Sequence, residues 1–406
     1  MAPPVSPPDA DRRFVVYLWA RTLSELASQM AVVAVGWQVY ALTGSAFELG
    51  LVGMAQFLPT AALTFAAGHA ADRYDRRRVA LVCQLLEGLA GALLAWGSFA
   101  GWLNAGEIFA AVALFGAVSA FEAPAAAAML TSAAPTGKLQ QATALSTGAF
   151  QTAALAGPAL GGLAYTVAPY APYAAIAVIW VLAALLNGAL RLKGSAPAKG
   201  GPTLEALFAG IGFVRRSPAI FGTISLDLFA VLLGGATALL PIFARDILHT
   251  GPWGLGLLRS APAIGAVVMA AALARRPIEH RVGMRMFQAV IVFGLATIAF
   301  ALSRSVWISV LALGVLGAAD TVSMVIRIAL VQLATPDGMR GRVGAVNSLF
   351  VGASYQLGGF ESGATAALLG AAPAALLGGL GTVAVALIWM TLFPALRDMD
   401  RLEQHD

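Results

Sequence analysis

The chain contains long apolar stretches that are too hydrophobic for a protein dissolved in water. Hydrophobic residues make up 59% of its 406 residues and charged residues only 11%, whereas soluble domains carry roughly 25% charged residues. A helix needs about 20 apolar residues to cross the roughly 30 Å hydrocarbon core of a bilayer. Such runs occur at 14–42, 47–68, 79–100, 108–130, 139–165, 173–192, 219–248, 254–274, 284–302, 306–333, 343–369 and 373–396. We therefore predict an all-α membrane protein with twelve transmembrane helices.

The two halves of the chain resemble each other. Residues 115–147 align with residues 316–348. Like halves of this kind are typical of transporters in which two bundles rock about a shared site at the bilayer midplane. We therefore expect two pseudo-symmetric six-helix bundles. The matched positions include Gly116 with Gly317, Pro135 with Pro336, and Gly137 with Gly338.

Composition and charge predict the boundaries and the orientation of these bundles. We expect a disordered leader at 1–13, bundles at 14–192 and 216–396, a cytoplasmic linker at 193–215 with a short interfacial helix near 204–214, and a cytoplasmic tail at 397–406. Lys and Arg are enriched in the cytoplasmic loops of membrane proteins. In this chain nearly all of the Lys and Arg residues lie in segments on the same side of the membrane as the N-terminus. Both termini are therefore predicted to lie in the cytoplasm, with the chain in a bacterial inner membrane. The exceptions among the 25 Lys and Arg are Arg21, Arg245, Arg259, Arg304 and Arg327.

The loop between the second and third spans carries a recognisable pattern. Residues 68–78 read GHAADRYDRRR and resemble the G-x-x-x-D-R/K-x-G-R-R/K-R/K loop of the major facilitator superfamily, with Asp75 in place of the second glycine. The resemblance implies a twelve-helix fold and a latch, in which Asp72 meets the positive N-terminal end of the span that starts near Val343. The alternative is an ordinary basic loop. The matching residues are Gly68, Asp72, Arg73, Arg76 and Arg77.

The fifth span contains a second pattern. Its segment AGPALGG resembles the G-P-x-x-G-G core of the superfamily's antiporter motif, although Ala153 replaces the upstream glycine. Small residues permit close helix approach and proline permits a bend, so a role in gating and simple packing both remain open. Within the superfamily this motif is associated with exporters, which favours efflux. The motif residues are Gly157, Pro158, Gly161 and Gly162.

Further strings are similar to one branch of the superfamily, which contains enterobactin exporters and macrolide efflux proteins. They are LPIFARD at 240–246, GLLRSAP at 256–262, RGRV at 340–343, LGGFESG at 357–363 and the Glu122-Ala123-Pro124 triplet. The resemblance extends over nearly the whole chain, from about residue 14 to residue 396. It implies the branch and leaves the transported compound open.

Charged side chains within the spans are the candidates for coupling. A charge at the bilayer centre costs about 2.5–3.5 kcal/mol on insertion scales, so it normally faces a cavity or a partner. Arg21 and Glu25 share a helix face, and Arg21 aligns with Asp227 of the second half. These three residues are predicted to line a central cavity, with Glu25 or Asp227 carrying the coupling proton. The alternative is a permanent structural ion pair.

Other polar residues extend the prediction. Asp320 is assigned to the cavity, whereas Glu122 and Arg327 belong either to an inner gate or to structural pairs with Arg340 or Arg342. Amides on membrane helices line cavities or serve packing. The remaining candidates are Gln151, Asn347 and Gln356 for the cavity, and Glu361 for the gates.

Several sequence motifs are missing, and this argues against other classes of protein. The sequence has no Walker phosphate loop, no histidines at metal-ligand spacing and a single cysteine, so we expect no cofactor, no metal and no enzyme activity. The net charge of +5 follows from the cytoplasmic cations and needs no nucleic acid. We predict a monomeric, proton-driven efflux antiporter for a small amphipathic molecule, embedded in the lipid bilayer. The alternatives are a lipid or lysolipid flippase, a proton-coupled importer, and a sensor or scaffold that transports nothing.

Overall fold

A computed structural model describes residues 7–190 and 204–400, apart from the side chains of a few residues within the helices. Within these ranges the chain is helical and contains no strand, which confirms the predicted all-α class. The helices are α1 (Pro7–Thr43), α2 (Ala46–Arg73), α3 (Arg76–Ala100), α4 (Ala105–Ala133), α5 (Leu139–Val167), α6 (Ala171–Ala189), α7 (Leu204–Arg216), α8 (Pro218–Leu233), α9 (Leu240–Ile242), α10 (Gly251–Arg275), α11 (Val282–Leu302), α12 (Val306–Leu333), α13 (Asp337–Leu369), α14 (Ala371–Leu392) and α15 (Pro394–Arg397). A 3₁₀ turn (Ala236–Leu239) and a π turn (Phe243–Ile247) flank α9.

Ten segments in the described ranges are long and apolar enough to cross a membrane, with Pro218–Ile247 counted as one of them. The chain is therefore a multi-span membrane protein. Helices α5 and α13 have 29 and 33 residues and are long enough to span a bilayer, but they are not among the ten. The count of twelve remains a prediction for this reason.

The leader prediction is wrong for residues 7–13, because α1 begins at Pro7. Proline is well tolerated in the first turn of a helix, where its missing N–H has no intrahelical partner. The polar composition of this segment therefore disguised a helical start. Residues 1–6, the linker residues 191–203 and the tail residues 401–406 lie outside the described ranges.

The predicted span at 219–248 is interrupted. Helix α8 ends at the Gly234-Gly235 pair, and the chain continues through the 3₁₀ turn, α9 and the π turn. Glycine favours such breaks because it is costly within a helix. A broken membrane helix frees carbonyl groups that need new donors, and the Arg259 guanidinium donates to the Thr237 carbonyl at 3.1 Å. The intramembrane Arg259 thus has a structural partner at the break.

The chain divides into two compact units. The first comprises Met1–Leu42 and Ala55–Gly201, and the second comprises Thr43–Met54 and Pro202–Asp406. Residues 43–54 had been assigned to the first bundle, but they group with the second unit, where Gly50 packs closely against Gly363. Glycines at both positions allow the two backbones to approach.

Close helix contacts organise each unit internally. In the first, α3 packs against α4 and α6, with Tyr173 and Trp180 fully buried. In the second, α10 packs on α12, and α11 packs on α12 and α14. The predicted short helix at 204–214 is present as α7, which packs on α13 where Gly210 faces Val346.

The contact between α10 and α12 gives a matched test of close packing. A methyl group added to Gly265 would collide with the Gly314 carbonyl oxygen, whereas one added to Gly314 would lie at an ordinary 3.7 Å from the Ala261 carbonyl. We expect Gly265→Ala to lower the free energy of unfolding by about 1–3 kcal/mol through overpacking. Gly314→Ala should be neutral or slightly stabilising, since alanine is the better helix former by about 0.5–1 kcal/mol. Unfolding in detergent measures both, and equal losses would contradict the packing.

Candidate functional site

A hydrogen-bonded polar cluster lies within the first unit, where four of its helices pack together. The Ser24 hydroxyl and the Gln84 amide both donate to the Glu122 carboxylate, at 2.7 and 2.8 Å. The Asn187 amide in turn donates to Gln84 at 2.9 Å. Helices α1, α3, α4 and α6 each contribute one residue, so the cluster exists only when they pack together. Glu122 is therefore the central acceptor of this cluster.

Arg21 and Glu25 lie beside this cluster on α1 but do not form the direct ion pair that their spacing allows. Glu25 accepts a hydrogen bond from the Gln29 amide at 2.7 Å. Arg21 instead interacts electrostatically with both Glu25 and Glu122. One guanidinium therefore acts on two carboxyl groups, each of which is held by neutral donors.

The second unit contains a buried ion pair. The Arg327 guanidinium on α12 contacts the Asp227 carboxylate on α8. The two side chains are only 6% and 9% exposed. A charge in such surroundings needs a partner, and each residue supplies one for the other. The sequence placed both residues in the membrane but did not predict that they pair.

Asp320 lies near this pair and borders a small cavity. The Tyr355 hydroxyl on α13 donates to its carboxylate at 3.3 Å. The cavity measures about 10 Å³, roughly the space of one water molecule. Its lining includes Asp227, Asp320, Ser323, Ala230 and Phe293. The structure thus places two of the predicted cavity residues on one small void inside the second unit.

The other predicted cavity residues, Gln151, Asn347 and Gln356, and the gate candidate Glu361 lie on α5 and α13. Gln151 is half-buried on α5, and Asn347 is half-buried on α13 with no hydrogen-bond partner for its side-chain oxygen in the described ranges. Gln356 packs beside Gly53. Glu361 accepts a hydrogen bond from the Thr365 hydroxyl on its own helix, at 2.9 Å. These four residues do not form one cluster with the residues above, and their roles remain predictions.

The loop between α2 and α3 explains the departure from the superfamily pattern. The Asp75 side chain caps α3 by accepting from the Arg77 backbone amide at 3.0 Å, a role that aspartate fills well. The Arg77 side chain donates to the Leu190 carbonyl, while Arg73 is exposed and Arg76 half-buried. The side chain of Asp72 is outside the described part, so the latch remains a prediction.

The glycine motif of α5 brings that helix against α1. A methyl group on Gly157 would lie 2.5 Å from the Gln29 side chain, and one on Gly161 would lie 2.9 Å from the Met30 carbonyl oxygen. Only glycine allows this approach without a shift of α1. The contact serves packing, and it also couples α5 to the helix that carries Arg21. The buried residues of the motif are Gly157, Pro158, Gly161 and Gly162.

The remaining gate candidates are a buried glycine and two arginines that have partners close by in the sequence. Gly68 is buried near the end of α2. Arg340 donates to the Gln332 carbonyl at 3.1 Å, and Arg342 contacts the Met339 sulfur at 3.5 Å. These contacts are compatible with either role that the sequence left open.

Sequence reasoning missed several members of the two clusters, namely Ser24, Gln84, Asn187 and Tyr355. Each is an isolated polar residue on an apolar helix, which is the signal that could have drawn attention to it. Their importance depends on which way each helix faces, and a single sequence does not fix that rotation.

Comparisons of the sequence with known proteins agree with this architecture. A model of the transmembrane secretion effector family matches residues 5–406. The chain is 28% identical over 410 residues to the multidrug efflux pump Tap of Mycobacterium tuberculosis (strain ATCC 25618 / H37Rv), covering 96% of this chain and 95% of Tap. It is 27% identical over 392 residues to the enterobactin exporter EntS of Citrobacter koseri, covering 93% and 91%. These relatives confirm the predicted superfamily branch and the prediction of a transporter rather than an enzyme.

Solved structures of low sequence identity share the fold. The nucleoside transporter NupG aligns with a TM-score of 0.73 at 14% identity, covering 94% of this chain and 99% of NupG. A bacterial homologue of the iron transporter ferroportin in an inward-facing state aligns with a TM-score of 0.71 at 16% identity, covering 96% and 99%. At these identities the likeness shows the fold alone, and it confirms the predicted major facilitator fold.

Proposed function

Because the chain belongs to the transmembrane secretion effector family and is a major facilitator efflux transporter, we propose that it expels a small amphipathic molecule in exchange for protons. The observation that carries this proposal is the Glu122 cluster. A carboxyl group in the membrane, held by neutral donors beside a single arginine, can exist with or without its proton.

The chemistry of the donors supports Glu122 as an exchanging group. A Ser24 hydroxyl donates to an ionised carboxylate and, after rotation, accepts from a protonated one. The Gln84 amide donates in either state. Glu122 and Glu25 are both only half-buried, so water can deliver and remove the proton. We propose that these two carboxyl groups share one exchangeable proton around Arg21.

In the second unit we assign different roles to the two aspartates, Asp227 and Asp320. Asp227 already has Arg327 as its counter-charge, and an ion pair of this kind stabilises the ionised carboxylate. We therefore propose that this pair is structural. Asp320, which accepts from a neutral tyrosine and borders the cavity, is the better candidate for proton exchange in this unit.

The wider mechanism follows from the superfamily fold. We propose alternating access by rocking of two six-helix bundles across twelve spans in a bacterial inner membrane, with both termini cytoplasmic. Asp72 would latch the cytoplasmic side and the glycine motif of α5 would serve as a gate. The protein would work as a monomer without a cofactor, using the proton gradient. The relatives' printed names, a multidrug pump and an enterobactin exporter, leave drugs, siderophores and metabolites as cargo classes.

The alternatives predict other results. A lipid or lysolipid flippase would move labelled lipid between the leaflets of proteoliposomes. An importer would accumulate cargo in the opposite direction. A sensor or scaffold would move neither cargo nor protons.

Inside-out membrane vesicles provide the test. With ethidium as an amphipathic probe, vesicles energised with an acidic interior should accumulate the dye, and a protonophore should abolish the accumulation. Vesicles that lack the protein are the control. Dye uptake that ignores the protonophore, or a complete absence of transport over a panel of amphipathic dyes and siderophores, would contradict the proposal.

A further inference from the structure

Glu87 on α3 is a buried carboxyl group of the first unit. Its side chain is 5% exposed, and Oε2 has no hydrogen-bond partner within the described residues. None of the ion pairs formed by those residues involves Glu87. A carboxylate buried in this way would have little contact with solvent and no paired cation to stabilise its charge.

The groups that surround Glu87 are acidic or neutral. Glu122 faces it from α4 and Glu25 from α1, and both act on it as like charges. Cys83 lies one turn away on α3 and interacts with it. Helix α6, which packs against α3, contributes no Asp, Glu, His, Lys or Arg. The nearby cation, Arg21, acts on Glu25 and Glu122.

The number of charges in the first unit also argues against an ionised Glu87. The first unit holds three carboxyl groups in this cluster, Glu25, Glu87 and Glu122, against the single guanidinium of Arg21. If all three were ionised, two negative charges would remain uncompensated inside the membrane, which is strongly unfavourable. In the second unit, by contrast, Asp227 has the Arg327 guanidinium as its own counter-charge.

We propose that Glu87 is a neutral carboxylic acid that keeps its proton throughout the transport cycle. Arg21 compensates one of the two remaining carboxylates, and the exchangeable proton of the proposed mechanism compensates the other. The first unit thus contains one resident and one exchangeable proton. The resident proton follows from burial and charge alone, so it does not require the exchanged ion to be a proton.

Infrared spectroscopy of the purified protein in lipid nanodiscs tests this directly, because protonated carboxyl groups absorb apart from carboxylates. We expect the wild-type protein to keep a carboxylic-acid C=O band at mildly alkaline pH. Glu87→Gln should lose that component. Glu107→Gln, which removes a surface carboxylate at the α4 cap, is the control and should leave the band unchanged. A wild-type protein with no such band, or a band that survives Glu87→Gln, would overturn the proposal.

Transport by Glu87→Gln separates this proposal from the proposed function. A neutral amide replaces a neutral acid, so gradient-driven ethidium accumulation should remain close to that of the wild type. If the infrared component disappears and the folded variant also loses gradient dependence, the Glu87 proton is exchanged and the resident assignment fails. If the wild-type protein transports nothing but shows the carboxylic-acid band at mildly alkaline pH, the proposed function fails and the resident proton on Glu87 is still supported.

Discussion

Replacing Arg327 with Leu is expected to lower the free energy of unfolding by about 3–5 kcal/mol, because it leaves the Asp227 carboxylate buried without its cation. Removing both charges in the double variant Asp227→Asn, Arg327→Leu should recover most of that loss, since a buried pair replaced by neutral groups is often close to neutral in stability. Thermal or denaturant unfolding in detergent measures both variants.

A surface ion pair supplies the control for this experiment. Arg245 and Asp246 lie 3.8 Å apart and are each nearly half exposed, so Arg245→Leu should change stability by at most about 1 kcal/mol. If Arg327→Leu behaved like this control, or if the double variant were as unstable as the single one, Asp227 and Arg327 would not depend on each other for their charge.

Glu122→Gln is expected to abolish accumulation driven by the pH gradient. Glutamine has nearly the same shape as protonated glutamate, and its carbonyl oxygen can still accept from Ser24 and Gln84. It cannot release a proton, so transport and proton movement should become independent. Downhill equilibration of ethidium across the vesicle membrane should persist, which shows that the variant is folded and binds the dye.

Two comparisons sharpen this result. Glu107→Gln, at the N-terminal cap of α4, should keep gradient-driven accumulation. Asp227→Asn should differ from Glu122→Gln, because its main effect should be a loss of stability rather than a loss of coupling. Gradient-driven accumulation at the wild-type level in Glu122→Gln would contradict the role proposed for this carboxyl group.

The sequence predicted those features that depend on local pattern. Apolar runs of membrane length predicted the helices. Gly157 and Gly161 predicted a close helix contact, which the structure places between α5 and α1. Each of these signals is present in a single stretch of chain, so no knowledge of its neighbours was needed.

Features that depend on neighbouring helices were less predictable. Glu122 was assigned to a gate or to pairing with loop arginines, yet Ser24 and Gln84 from two other helices hold it. Asp227 was predicted to line a central cavity with Arg21 and Glu25 or to form a structural ion pair, and the sequence did not indicate that Arg327 is its partner. The symmetry of a repeat fixes equivalent positions and does not determine which side chains meet. The break after α8 was missed as well, because Gly234-Gly235 lies within an otherwise uniform apolar run.

Proton release upon ligand binding is the most direct test of the coupling claim. Purified protein in a weakly buffered solution with a pH indicator should release protons when ethidium is added at neutral pH, because the dye and the exchangeable proton compete for the Arg21–Glu25–Glu122 cluster. The release should vanish in the double variant Glu25→Gln, Glu122→Gln and persist in Glu87→Gln. Ethidium binding without proton release in the wild type, or an unchanged release in the double variant, would contradict it.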